Sequence, residues 1–172
     1  MKAPDDSVSD NDPTRMRMRA FSADSTLAAI EVDDDRGGLY LRIVTLKDGS
    51  AVKTYRFDEA SARSVWKKAR RKHGLLERGP QTAAHPKLEA LTLMGSDTAD
   101  AVLVNVAKGE RVVPYLRIRR LPEAAVAFKT LAFSPDGKRL VAIHTQTRVV
   151  GGRQISHDFF HAVPFKQYRL PF

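Results

Sequence analysis

Tight turns set between runs of β-forming residues constrain this chain more than any other feature. Lys47-Asp48-Gly49-Ser50 separates Leu39–Leu46 from Ala51–Phe57, and Lys108-Gly109 separates Ala101–Ala107 from Arg111–Arg119. Ser134-Pro135-Asp136-Gly137 separates Phe128–Phe133 from Arg139–Thr145. Glycine in such a turn tolerates a positive φ, and proline presets φ at the second turn position. Each unit therefore predicts an antiparallel hairpin, and most of the chain is committed to β structure.

Further strands are expected from Arg15, where Arg15-Met16-Arg17-Met18-Arg19 alternates basic and apolar residues, and at Leu27–Val32, Leu88–Leu93 and Asp158–Phe165. Alternation with period two marks a half-buried strand. The period changes once. Asp58 is a good N-cap, and Ala62, Val65, Trp66 and Ala69 fall at i, i+3, i+4 and i+7, one face of a helix over 58–73. Gly74 is its expected C′ residue. A short helix is expected over 122–128, a connection over 75–86 and a long loop over 147–156. Residues 1–14 are polar and acidic and read as a disordered tail. Residues 15–172 then form a single β-rich domain, consistent with a length of 172 residues.

One pattern occurs twice. Phe21-Ser22-Ala23-Asp24-Ser25 precedes a strand, Leu27 to Val32 (LAAIEV), and Phe133-Ser134-Pro135-Asp136-Gly137 precedes another, Leu140 to Thr145 (LVAIHT), 112 residues later. Ser25 stands where the second copy has glycine. The pattern resembles the turn signature of WD40-like and TolB-type β-propeller blades. The order of hairpins and helix also resembles a group of uncharacterised bacterial predicted-secreted proteins. The resemblance implies antiparallel sheets packed face to face. The chain departs from those families in lacking a Gly-His/Trp-Asp signature and in the wide spacing of its copies. At ~40 residues per blade it could hold two or three units, too few for a closed ring of 4–8. The expected fold class is thus mainly β with one long helix (α+β), in blade-like antiparallel sheets forming an incomplete propeller or a sandwich.

Composition narrows the chemistry. The absence of cysteine removes disulfides, thiolate metal sites and cysteine nucleophiles. No apolar run approaches the ~18–20 residues that span a bilayer. Taken as it stands the chain reads as cytoplasmic, or as exported if an export signal has been removed. Net charge is +9, and residues 1–12 contribute four aspartates against one lysine, leaving the rest near +12. A body this basic favours anionic partners, although charge of this kind also serves solubility alone.

No catalytic constellation is legible. There is no Gly-x-Ser-x-Gly elbow and no glycine-rich phosphate loop. His157 and His161 flank Asp158-Phe159-Phe160, but on a strand they would lie ~13 Å apart, too far to share a metal without a bulge. Asp33-Asp34-Asp35 lacks calcium-loop spacing and reads as a solvated loop. No cofactor is expected.

The strongest non-random feature is the basic helix, with Arg63, Lys67, Lys68, Arg70, Arg71 and Lys72 within three turns. Such a strip can follow a phosphate backbone, each contact releasing counterions. Arg117, Arg119 and Arg120 end another strand as a second basic set. Two functions follow as expectations. One is a non-catalytic protein-interaction or assembly module that covers its sheet edges by self-association or a protein partner. The other is a nucleic-acid-binding protein using 63–72 and 117–120. A hydrolase or metal-dependent enzyme ranks below both.

Overall fold

The computed structural model describes residues 14–34 and 37–172. Among them are ten strands and one α-helix. The expected tail over 1–14 lies outside the described residues except for Thr14, which opens the first strand.

The first sheet is a meander of β1 (Thr14–Phe21), β2 (Leu27–Asp34), β3 (Gly38–Thr45) and β4 (Ala51–Phe57). Helix α1 (Ala62–His73) follows. A second sheet comprises β5 (Leu91–Asp97), β6 (Ala101–Lys108) and β7 (Arg111–Arg119). A third comprises β8 (Ala125–Phe133), β9 (Arg139–Val150) and β10 (Arg153–Pro164). All strand pairs are antiparallel, and none of the sheets closes into a barrel. The fold is mainly β with one helix, as expected.

Packing follows from side-chain parity. In β9, Val141 and Ile143 join Phe21, Ile30, Val44 and Leu46 of the first sheet in one core. Leu140 and Ala142 point the other way and join Leu91, Leu93, Val104 and Val106 of the second sheet. The third sheet is therefore central and covered on both faces, and the unbroken apolar run LVAI reflects that double burial. The opposite face of the first sheet, through Ala29, Leu41 and Ile43, carries α1. The layers thus run α1, first sheet, third sheet, second sheet.

The two Phe-Ser-x-Asp turns have the same hydrogen bonding. Ser22 Oγ donates to Asp24 and Ser134 Oγ to Asp136, both at 2.6 Å. The same hydroxyls accept the N–H of Leu27 (2.9 Å) and Arg139 (3.0 Å). Ser25 takes φ of 60° where Gly137 takes 74°.

Several boundaries differ from expectation. Residues 122–128 form no helix; Ala125 onward is β8, with exposed and half-buried residues alternating as it pairs with β9. Pairing overrode the helix propensity of its alanines. The loop expected over 147–156 is a continuous hairpin. Gly151 (φ 56°) and Gly152 (φ 75°) supply the two consecutive left-handed residues of a two-residue turn, so β9 and β10 extend to its tip. The strand expected at Leu88 begins at Leu91, after Ala90 at φ 57°. The helix begins at Ala62, not Asp58. Asp58 instead exchanges two bonds with Ser61 before it, accepting the Ser61 N–H at 2.8 Å and donating its own N–H to Ser61 Oγ at 3.0 Å. Gly74 ends the helix in the left-handed conformation, its N–H bonded to the Arg70 carbonyl.

Candidate nucleic-acid interface

Helix α1 sits where it does because its apolar stripe matches the first sheet. Ala69 is fully buried, and Val65 and Trp66 pack beside it against Ile43, Tyr55 and Phe57. The stripe sends the charged positions outward. Arg63, Lys67, Lys68, Arg70, Arg71 and Lys72 are all exposed. Among the described residues only Arg70 has a carboxylate within reach, Glu77 at 3.9 Å. The basic residues of the last turn also complement the negative end of the helix dipole.

Strand β4 adds to this surface. Lys53 is exposed and lies over the Tyr55 ring at 6.0 Å, and Tyr55 Oη meets His73 Nε2 at 2.9 Å. Burial holds the His73 imidazole below its ordinary pKa, and the Lys72 and Lys53 charges add to the effect. Lys53 carried no signal in the sequence, because its approach to the helix end depends on how α1 folds over the sheet.

Between the first turns of α1 and the sheet lies a cleft of about 350 Å³. Leu41, Phe57, Val65 and Trp66 supply its apolar lining, and Arg19, Glu31 and Arg63 its charged groups. The Arg19 guanidinium lies 4.7 Å from the Trp66 ring centre and pairs with Glu31 at 3.2 Å. Arg17 binds the other Glu31 oxygen through Nε (3.0 Å) and an Nη (2.7 Å).

The second basic set does not join the first. Strand β7 belongs to the second sheet, and two sheet layers separate it from α1. Arg117 is paired with Asp100 at 2.7 Å. Arg120 binds Asp97 at 2.7 Å and the Thr98 and Ala124 carbonyls, fastening the β7–β8 connection to the β5–β6 turn. Arg119 is exposed at the end of β7, and its carbonyl accepts Gln146 Nε2 at 3.0 Å.

His157 and His161 lie on a strand, as expected. His157 is buried, while His161 stacks on His144 of β9 with ring centres 5.4 Å apart. Phe159 covers the other neighbouring position, 5.2 Å from His144. Burial pushes both stacked imidazoles down to about 4, with the His161 charge acting further on His144. Burial and then the Arg148 charge lower His157. Among the described residues no three His, Asp or Glu side chains converge to hold a metal. Asp34 accepts the Gly38 N–H at 2.7 Å, and Asp35 lies outside the described residues. No described helix is long and apolar enough to cross a membrane.

Compared with protein-family models, curated proteins and solved structures, the chain has no significant match.

Proposed function

We propose that this protein is a non-catalytic binding module for nucleic acid, with the outer face of α1 as its contact surface. The observation that carries the reading is the row of exposed cations from Arg63 to Lys72, five of which have no carboxylate partner among the described residues. Unpaired cations on a rigid helix leave their charge free for phosphates, and release of counterions drives such contacts. The second basic set is not part of this surface, since Arg120 is spent within the fold and Arg117 is paired.

The test is fluorescence anisotropy of labelled DNA and RNA over a salt series. Binding should weaken steeply with salt, and changing Lys67, Lys68, Arg70 and Arg71 to Ala should flatten that dependence. Binding confined to low salt, or left unaltered by the variant, would defeat the proposal.

A second reading, self-association, has its own observation. Strand β4 ends the first sheet and is largely exposed, with Val52 at 55%. Strand β7, an edge of the second sheet, differs in containing Pro114, which has no N–H to donate. Light scattering would support this reading by a dimer mass that Val52→Lys reduces to the monomer, and would dismiss it by a monomer at all concentrations.

A further inference from the structure

We infer that the cleft beside Trp66 receives an unstacked base, which makes the preferred ligand single-stranded nucleic acid rather than duplex. This rests on the proposed reading of α1 and names the substrate class of the same surface.

Three features of the cleft point to a base. Its volume, about 350 Å³, lies at the small end of ligand sites, which run ~300–1,000 Å³. It offers one flat platform, the Arg19 guanidinium laid over the Trp66 indole at 4.7 Å, beside an apolar bed of Leu41, Phe57 and Val65. Aromatic rings and guanidinium planes are the surfaces on which single-stranded bases stack. Finally, Arg63 belongs both to the cleft and to the cationic row. From Arg63 to Arg71 the helix rises about 12 Å, so a strand with one base in the cleft has its following phosphates over Lys67, Arg70 and Arg71.

Of the charged groups of the cleft, Arg19 and Glu31 are already committed to each other, which leaves Arg63 for a phosphate. Both Glu31 oxygens are held by Arg17 and Arg19, so the carboxylate does not confront an incoming phosphate as a bare charge. Few groups remain to read a base edge, and sequence preference is therefore weak. A duplex keeps its bases paired and stacked, and reaches only the cationic row unless a base is flipped out.

Trp66 is the only tryptophan, so its emission reports on this cleft alone. The experiment titrates the full chain with a single-stranded oligo-dT, a duplex of equal length and an abasic strand of equal charge. Each is followed by Trp66 emission and by anisotropy. The expected result is quenching by oligo-dT and roughly ten-fold tighter binding than the abasic strand, the scale of one stacked base. Ala62→Leu narrows the cleft at an incompletely buried position and leaves the cations in place; it should abolish the ten-fold preference while retaining salt-dependent binding. Equal affinity for the abasic strand, or a preference untouched by Ala62→Leu, overturns the inference and leaves the cationic surface standing. Failure of all three ligands to bind at moderate salt overturns both.

Discussion

Ser25 Oγ accepts the backbone N–H of Asp136 at 3.0 Å, joining two turns that lie 111 residues apart in the chain. The bond ties the β1–β2 turn of the first sheet to the β8–β9 turn of the central sheet. It also accounts for serine at a position of φ 60°, where the matching turn has Gly137. Glycine would sit there without strain but could not accept the bond.

Replacing Ser25 by Ala keeps the unfavourable backbone and loses the acceptor, leaving a part-buried N–H unpaired. The expected loss is about 1–2 kcal/mol. Ser25→Gly loses the same bond but relieves the strain, so it should be the milder change. Urea denaturation of both variants checks this: an alanine variant as stable as wild type would remove the bond as the explanation, and a glycine variant less stable than the alanine variant would remove the strain.

Asp158 makes another junction between the first and third sheets. Its buried carboxylate accepts the Met16 N–H of β1 at 2.7 Å, Lys129 Nζ of β8 at 2.6 Å and the Thr145 hydroxyl of β9. No strand ladder joins β1 to β10, so this side chain takes the place of one. Asp158→Ala should cost roughly 3 kcal/mol, since it strands several donors at once. Amide exchange should locate the added opening at Met16.

The stacked pair of His144 and His161 sets an acid limit. Both rings stay neutral in the folded protein down to about pH 4, whereas in the unfolded chain they protonate near 6.5. Their contribution is fully present above pH 6.5 and is lost as pH falls toward 4, on the order of 3 kcal/mol per ring. The Asp158 charge works against this for His144 without reversing it. His161→Phe preserves a ring for stacking and removes one titration, so its melting temperature should fall less than wild type between pH 6.5 and 4. An identical pH profile would dismiss the histidine as the cause.

Arg117 and Arg120 should behave unlike the α1 cations. Arg117→Ala leaves nucleic-acid affinity unchanged, because two sheets lie between it and α1. Arg120→Ala lowers the melting temperature by releasing Asp97 and the Thr98 and Ala124 carbonyls. A salt slope altered by Arg117→Ala would place the binding face on the second sheet instead.

Local pattern in the sequence was enough for the hairpins, for the helix face of Ala62, Val65, Trp66 and Ala69 and for the glycine that ends it, because turn chemistry and periodicity act within a few residues. It was enough as well to set Arg63, Lys67, Arg70 and Arg71 on the side away from that face. The strand expected over 128–133 begins earlier, at Ala125, and that start was hidden because Ala125 and Ala127 favour helix and only pairing with β9 decides otherwise. The extended β9–β10 hairpin was hidden because Gly151-Gly152 suits a loop and a tight turn equally. Only the tertiary structure decided that α1 and the arginines of β7 lie at opposite ends of the stack, and that Arg19 meets Trp66. It alone brought Ser25 to Asp136 and Met16 to Asp158. These are contacts between residues 47 to 142 positions apart, set by the order in which the sheets stack, and no local period encodes that order.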